Sequence, residues 1–571
     1  MNSLDRFLSR PTAKPYRSGK IDPNQEVHFN KDGHLDFEEG DVENPKNWSV
    51  GRRIYITVVA VSMVVNATFA SSAPSGVLVG ISEYFHVSEE AAGLVITLFL
   101  LGYCAGPLVF APLSEFFGRR YLFYITFLCY IAFNFLCAFA PNFGSLLVGR
   151  LLSGTFASAP LTNAPGVVAD IWGPNERANA IALFSMMTFV GPAAGPIVAG
   201  FLQVTKGDDG WRWIFYVLNM FGGGTAILMF TLPETYAPVV LLNKAKRLRR
   251  VNPEKYGDVT APAEAHGRNL GAMFRVALLR PWQILFDPIA LLVAIYISVV
   301  YTLLYMLFSI YPIVFQQKRG WNAGVGELPL AGTVVGAVIG GMIVLTFTRH
   351  EQKRQAKGHK FEAEDRLPLA MLGGILFPVT MFWFAWTAEY NSIHWIVPTI
   401  AGTLLSTSIM LVFVAYLNYL TDTYLMFTAS AMAANTITRS ACGAAAPLFT
   451  NYMFNALGVG GGGSLIGGVA SCSHPSPSSS TTPQQEQDAS DDSEATEVGE
   501  GGDDEEKQQR RARRESGQSG ASSEDSDSDE ESLEQGQDYE TTEEIERRAR
   551  HRRERQRAEM ERVKTRSDAG A

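Results

Sequence analysis

Two arginines lie inside long apolar runs, where a charged side chain is costly. Arg150 lies about five residues into "LLVGRLLSGT", and Gly154 follows one turn later on the same helix face. Arg439 lies in "NTITRSACG", four residues after Asn435. An ionised side chain that faces lipid costs several kcal/mol, so each arginine indicates a functional role by default.

Each arginine also has an alternative interpretation. Arg150 is roughly 8 to 11 Å from the end of its run, so its side chain could reach the headgroup region instead. Arg439 is roughly 18 Å from the nearer basic loop, close to the midplane, and is too deep for this. We expect Asn435 and Arg439, as i, i+4 neighbours, to face protein or a cavity. The sequence does not name their partner.

A third charged group ends an apolar run. The stretch "APLSEFFGRR" contains Glu115, Gly118, Arg119 and Arg120. A carboxylate there can pair with arginines at the membrane surface and be released when helices move apart, which would make the loop a gate. The alternative is that any short loop on this side of a membrane collects arginine.

Glycines and prolines mark another candidate region, "FVGPAAGPIVAG", with Gly191, Pro192, Gly195 and Pro196. Glycines four residues apart allow another helix to pack closely, and prolines remove backbone donors and bend the helix. Small residues at this spacing are also common in ordinary membrane helix packing, so the pattern alone is weak.

Aromatic residues follow one face of "YTLLYMLFSIYPIVF", where Tyr301, Tyr305 and Phe308 recur at helical spacing. Core packing is the more frequent reason for such a stripe. The alternative is a cavity wall whose ring faces and hydroxyls contact amphiphilic or cationic ligands.

These residues require long membrane helices to position them. Eleven apolar stretches of about 20 residues, the length that crosses a hydrocarbon core, alternate with short polar breaks. They lie near 54–75, 91–113, 121–141, 145–169, 178–203, 212–232, 288–315, 328–348, 368–388, 393–418 and 427–454. A twelfth is expected to begin near Ser464. The fold class is therefore all-α, a polytopic membrane protein.

Loop charge predicts the orientation. If the N-terminus is cytosolic, the cytosolic breaks hold 18 Lys and Arg and the opposite breaks hold four. The longest loop follows the sixth span, which predicts two related bundles around a central cavity. The predicted parts are a cytosolic tail 1–52, a six-span bundle 53–232, a cytosolic basic loop 233–287, a second bundle 288–470 with five spans and the start of a sixth, and a disordered charged tail 471–571.

Composition excludes several other classes. The formal net charge is −9: residues from Ser471 onward carry −13 and the rest of the chain carries +4, so the acidity belongs to the tail. Four of the five cysteines, Cys104, Cys129, Cys137 and Cys442, fall inside apolar spans, so no disulfide framework is implied. No cleavable signal peptide precedes the first span. We find no phosphate-binding loop and no metal-ligand cluster, so we expect no enzyme activity, cofactor, metal or nucleic-acid partner.

Several of these stretches resemble the major facilitator superfamily. "APLSEFFGRR" is similar to its loop G-x-L-a-D-R-x-G-R-R, with Ala111 for the first Gly and Glu115 for the Asp. The fifth span resembles the antiporter motif G-P-x-x-G-G, with Pro196 at the second Gly. "DVENPKNWS", "WRWIFYVLN", "PETYAPVVLLNKAKRLR", "EDRLPLAM" and "NYLTDTY" are similar to fungal twelve-span drug/proton antiporters of the multidrug and polyamine type. The resemblance runs from about Asp41 to Ala470.

This resemblance implies a carrier that exports amphiphilic drugs or polyamine-like compounds by alternating access, with two six-helix bundles and Arg150 in proton coupling. It implies a small-molecule substrate, protons and the lipid bilayer as partners, a monomer, and the plasma membrane with a cytosolic N-terminus. Two alternatives stay open: proton-coupled nutrient uptake, which the fifth-span motif disfavours, and a truncated membrane protein that does not transport. No Asp or Glu lies deep in a predicted span, so proton coupling follows from the resemblance alone.

The expected twelfth span breaks off at "SLIGGVASCSHPSPSSSTT". Plausible serine codons read one register later encode mainly apolar residues, and joined to "SLIGGVA" they give a run of roughly 18, long enough to span. We therefore predict a frameshift or mis-spliced junction near Ser471.

Overall fold

Twelve of the helices form the bundles in the computed structural model, which describes residues 28–30, 33–38, 40–265, 270–355, 357, 363–424 and 427–473. The first six long helices are α1 Val50–Ser72, α2 Glu89–Tyr103, α3 Arg119–Ala138, α4 Phe143–Ile171, α5 Pro174–Lys206 and α6 Gly210–Met229. The next four are α7 Pro288–Tyr311, α8 Ala331–Gln355, α9 Leu367–Glu389 and α10 Ile396–Thr423. The helical run Thr428–Ser473 breaks at Gly458, which gives α11 (428–457) and α12 (459–473).

Nine stretches of the described residues are long and apolar enough to cross a membrane. Two of them, Asn179–Met229 and Thr428–Ser471, each contain two of the helices above. Helix α4 is not among the nine, because Arg150 and many small polar residues lower its hydropathy. The predicted all-α membrane fold is confirmed, and helices cover each of the eleven predicted stretches.

Short segments extend several of these helices. Helix α1 continues through Ala73–Val77 into Leu78–Phe85, and α2 continues through a π-helical segment at Gly106–Phe110 into Ala111–Phe117. A second π-helical segment, Pro312–Lys318, extends α7. Short π-helical segments within α-helices occur frequently at functional sites.

The twelfth helix begins earlier than the sequence predicts, at 459 instead of near Ser464. Six glycines in α12 disfavour helix by propensity, but contacts with α9 offset this. The Glu389 carboxylate accepts the Gly460 N–H at 2.8 Å, and a carboxylate at a helix N-terminus is stabilising. A Cβ on Gly463 would overlap Ala385, so only a residue without one allows this approach. The described part of α12 is about 22 Å long.

Charged residues cluster at one end of the helices, which we call the basic end (Arg53, Arg119 and Arg366). The opposite end carries the turns at Gly207, Gly320 and Gly458. At the basic end, Arg53 pairs with Glu176 at 2.8 Å and Arg366 pairs with Asp422 at 3.1 Å.

The predicted loop 233–287 contains helices, chiefly Ala237–Val251 and Leu270–Leu285. Residues of the predicted N-terminal tail pack on the first of these: Leu35 joins its small apolar core, and Asp41 pairs with Lys244 at 2.5 Å. In the described region, the N-terminal tail and the helix Ala237–Val251 therefore pack against each other. Most of the predicted tail 471–571 lies outside the described residues.

Candidate functional site

Arg150 points into the protein and not toward lipid. Its side chain is fully buried, and Nε and Nη2 donate to the carbonyl oxygens of Val95 and Ala70, each at 2.9 Å. The guanidinium lies 4.0 Å from the centre of the Phe99 ring, a cation–π distance. Nη1 has no hydrogen-bond partner among the described residues. One arginine thus joins α1, α2 and α4 without a carboxylate.

Glycine makes this geometry possible. A Cβ on Gly154 of α4 would overlap the Phe99 carbonyl, and one on Gly102 of α2 would overlap the backbone of Thr155. The two helices therefore touch backbone to backbone one turn from Arg150. This contact holds Val95 and Phe99 within reach of the guanidinium.

Tyrosines of α7 connect this arginine cluster to the second half of the chain. Tyr305 is buried, and its hydroxyl lies 2.9 Å from Ser71 Oγ, one residue after the Ala70 carbonyl that binds Arg150. The hydroxyls of Tyr301 and Tyr305 are 3.5 Å apart. These contacts lie where α1 meets α7, so the tyrosine stripe packs against protein on the side that faces the first bundle.

Arg439 lies on the other side of these tyrosines. Its guanidinium is 4.7 Å from the Phe413 ring centre and 5.3 Å from that of Tyr301. Nε and Nη1 have no hydrogen-bond partner among the described residues, and neither amide atom of the neighbouring Asn435 has one. Asn435, Arg439 and Tyr301 thus meet at one place in the second half, about 16 Å along α11 from its basic end.

The glycine–proline stretch of α5 packs on α1. Pro196 has no N–H for the Pro192 carbonyl, and Ser72 Oγ donates to that oxygen at 2.7 Å instead. A Cβ on Gly195 would lie 2.8 Å from Ser72 Oγ, and one on Gly191 would overlap Thr68. This stretch therefore fits α1 closely, next to the Ala70–Ser71 segment that contacts Arg150 and Tyr305.

The loop "EFFGRR" is held by a carboxylate distant in sequence. Gly118 has φ +95°, which favours glycine, and Glu234 accepts the backbone N–H groups of Arg119 and Arg120 at 3.0 and 3.1 Å. The Arg119 side chain reaches α4, with Nε 3.5 Å from Asp170 and Nη1 3.0 Å from Asn163.

The expected pairing of Glu115 with these arginines is therefore wrong for this conformation. Glu115 is exposed and forms no ion pair with another described residue, while Asp170 takes its place beside Arg119. The Arg120 side chain turns away and donates to the Tyr124 hydroxyl at 2.9 Å. Side chains that are neighbours in sequence lie apart here because Gly118 reverses the chain between them.

An acid is also deeply buried just outside the predicted spans. Glu327, between α7 and α8 at the opposite end, is fully buried. Gln316 donates to its Oε1 at 3.0 Å, and Oε2 has no hydrogen-bond partner among the described residues. A Cβ on Gly200 of α5 would lie 3.1 Å from Glu327 Cγ, so both halves of the chain enclose this carboxyl. Its position in an apparent loop gave no sequence signal.

Taken together, two bundles of membrane helices meet at an interface that contains a buried arginine on each side and tyrosines between them. This arrangement defines a polytopic membrane protein with a polar centre shared by two halves. A profile of the Major Facilitator Superfamily matches residues 59–447. The chain belongs to this superfamily.

Curated relatives are fungal proteins. The chain is 45% identical over 396 residues to "Efflux pump FUB11" of Gibberella moniliformis, a match that covers 69% of this chain and 66% of that protein. It is 41% identical over 429 residues to "Major facilitator superfamily multidrug transporter mdrA" of Aspergillus fumigatus, covering 74% and 69%. The chain thus spans about two thirds of the length of these relatives.

A solved structure shares the fold. The proton:xylose symporter XylE, bound to 6-bromo-6-deoxy-D-glucose, superposes with a TM-score of 0.54 at 15% sequence identity. The match covers 74% of this chain and 94% of XylE. At this identity the likeness concerns the fold of two six-helix bundles alone.

Proposed function

We propose that this chain is a secondary carrier that exports amphiphilic organic compounds, a class that includes drugs and polyamine-like cations, in exchange for protons. The observation that carries the proposal is a series of contacts that connects the two bundles. Arg150 binds the Ala70 carbonyl, the adjacent Ser71 binds Tyr305, and Tyr301 lies under Arg439. A ligand that shifts the contacts in one bundle would therefore shift those in the other bundle, as alternating access requires.

Export is favoured over uptake by the α5 stretch and by the relatives. Gly191, Pro192 and Gly195 match the antiporter motif, from which Pro196 departs, and this stretch packs tightly on α1 beside the Arg150 contacts. Two of the similar proteins carry the names efflux pump and multidrug transporter. In this proposal the basic end faces the cytosol, the protein lies in the plasma membrane, and it acts as a monomer.

Glu327 supplies a carboxyl that makes closure of the opposite end depend on protons. A carboxylate without a cation is expensive to bury, so closing the opposite end around Glu327 favours its neutral, protonated form. Protons on that side would therefore promote closure there and return the carrier to the state that opens at the basic end. Arg150 acts in the same cycle as the positioning residue that holds α1, α2 and α4 together.

The loop with Gly118 acts as the latch at the basic end. Glu234 and Asp170 hold its backbone and the Arg119 side chain, so opening and closing of this end require these bonds to change. Glu115, on the exposed face, is free to pair with arginine in another conformation.

Two alternatives remain as outcomes of the test. A carrier for nutrient uptake would use the same fold with the opposite direction of flux. A membrane protein that does not transport would keep the fold without flux, and the serine- and proline-rich sequence after Ala470 is the observation that favours it.

Accumulation in whole cells tests the proposal. The full chain is expressed in a yeast host that lacks its own efflux carriers, and the cells are loaded with fluorescent amphiphiles. Export predicts lower retention than in cells with empty vector, abolished by a protonophore. Higher retention would indicate uptake, and equal retention would indicate that the protein does not transport.

A further inference from the structure

Arg439 is a buried cation without an anionic partner. Arg439 is 7% exposed, and its guanidinium lies beside the stacked rings of Phe413 and Tyr301. None of the ion pairs between described residues includes it. A buried charge is normally paired, so this arginine retains capacity for an anion.

Asn435 is also buried without a hydrogen-bond partner among the described residues. It is 1% exposed, yet neither Nδ2 nor Oδ1 has a hydrogen-bond partner among the described residues, and Arg439 Nε and Nη1 also lack one. The two residues are one turn apart on the same face of α11. Four unpartnered polar atoms at membrane depth, where water is scarce, are costly unless a ligand binds there.

Aromatic rings surround these polar atoms. Phe413 of α10 and Tyr301 of α7 cover the guanidinium, and Phe189 of α5 meets Phe413 edge-on at 5.3 Å. Phe189 belongs to the first half of the chain and the other rings to the second. A ligand here would contact both halves.

The net charge of this region excludes one class of ligand. Among described residues in the middle of the spans, the buried Asp, Glu, Lys and Arg side chains are Arg150 and Arg439, while the buried Glu327 lies at the opposite end. A positive interior attracts anions and repels polyamines, which would need carboxylates to bind.

We propose that Asn435 and Arg439 bind the anionic group of the substrate, a carboxylate or sulfonate, while Phe413, Tyr301 and Phe189 pack on its aromatic body. This rests on the transport function proposed above and narrows its substrates to anionic aromatic amphiphiles. Of the compounds named in the proposed function, this narrower class keeps anionic drug-like amphiphiles and leaves out polyamine-like cations.

The test compares three probes with one ring system and different charge: 2-naphthoate, 2-naphthalenemethanol and 2-naphthalenemethanamine. Their binding to the purified full chain in detergent is measured by naphthalene fluorescence. We expect naphthoate to bind best and the amine worst. In Arg439→Gln, naphthoate should lose about tenfold to a hundredfold in affinity, the range of a charge-assisted hydrogen bond, and the alcohol about twofold or less.

Two further variants secure the interpretation. Arg212→Gln removes an arginine that pairs with Asp209 at the opposite end, and it should leave all three affinities unchanged. Asn435→Ala keeps the arginine and should weaken naphthoate binding severalfold while sparing the alcohol. This variant decides the matter if Arg439→Gln does not remain monodisperse in detergent.

Three results would overturn the proposal: no binding of naphthoate, tighter binding of the amine than of naphthoate, or equal losses for naphthoate and the alcohol in both variants. Binding needs no gradient, so the outcome is separate from that of transport. Charge-selective binding without flux would contradict the proposed function alone.

Discussion

At the scale of single residues, buried ionisable groups without an ion-pair partner distinguish the interface between the two bundles from ordinary helix packing. Arg150 uses two backbone carbonyls and an aromatic ring in place of a carboxylate, and Glu327 has a single amide donor. Groups held in this way are sensitive to small movements of the helices around them, because each neighbour contributes one bond.

Replacing Arg150 tests its role in coupling. Arg150→Ala should abolish gradient-driven efflux, since α1, α2 and α4 lose their common contact, while expression in the membrane stays within about twofold. Flux and surface expression are measured together, with Arg212→Ala as a control arginine at the opposite end. Unchanged proton-coupled efflux in Arg150→Ala would refute the assignment.

The role of Glu327 predicts a change in pH dependence. Glu327→Gln keeps the shape of the neutral carboxyl but cannot release a proton, so closure of the opposite end should no longer depend on pH. Efflux in the unmodified protein should rise as external pH falls, and in Glu327→Gln it should stay flat. Asp209→Asn, an exposed carboxyl at the same end, should keep the normal dependence. An unchanged pH profile in Glu327→Gln would rule out this role.

At the scale of elements, glycine sets how closely helices and loops approach. The loop after α2 turns at Gly118 with a positive φ, and Glu234 binds the amides that follow it. Similar contacts at Gly195 fit α5 against α1. Both places combine a glycine with a polar group supplied from another helix.

Gly118→Ala tests the latch. The backbone conformation of Gly118, φ 95° and ψ 161°, should cost a residue with a Cβ about 1–3 kcal/mol, and the Cβ would overlap the Glu234 carboxylate. Turnover should therefore fall, and Glu234→Gln should lower it in the same way. Gly173, at the same end, has open space around it, so Gly173→Ala is the matched control and should not affect turnover. Equal rates in both glycine variants would show that the loop only carries topogenic charge.

At the scale of the whole molecule, the sequence predicts the helices well because each crosses the membrane on its own apolar length. It also predicts a functional role for Arg150 and Arg439, since the depth of a residue in an apolar run can be read from the sequence around it. The residues that contact the "EFFGRR" loop and Glu327 could not be predicted from the sequence. Asp170 and Glu234 reach the "EFFGRR" loop from far along the chain, and the burial of Glu327 depends on Gly200 of another helix.

The end of the second bundle yields a prediction about the gene. The apolar run that begins the twelfth span gives way to serine and proline after Ala470, and plausible serine codons read one register later would encode mainly apolar residues, enough to complete a span. We expect the transcript across residues 460–485 to contain a frameshift or mis-spliced junction. Restoring the frame should restore transport and a cytosolic C-terminus. A transcript that confirms the given frame, together with transport by this chain, would contradict this.

Flux driven by opposed pH gradients tests the central claim of proton-coupled export most directly. The full chain is reconstituted into liposomes with the membrane potential clamped, and uptake of 2-naphthalenesulfonate and of rhodamine 6G is compared with protein-free liposomes. Antiport predicts accumulation of at least one probe in an acidic lumen, against the proton flux. Accumulation only in an alkaline lumen, or no flux of either probe above the protein-free level, would contradict it.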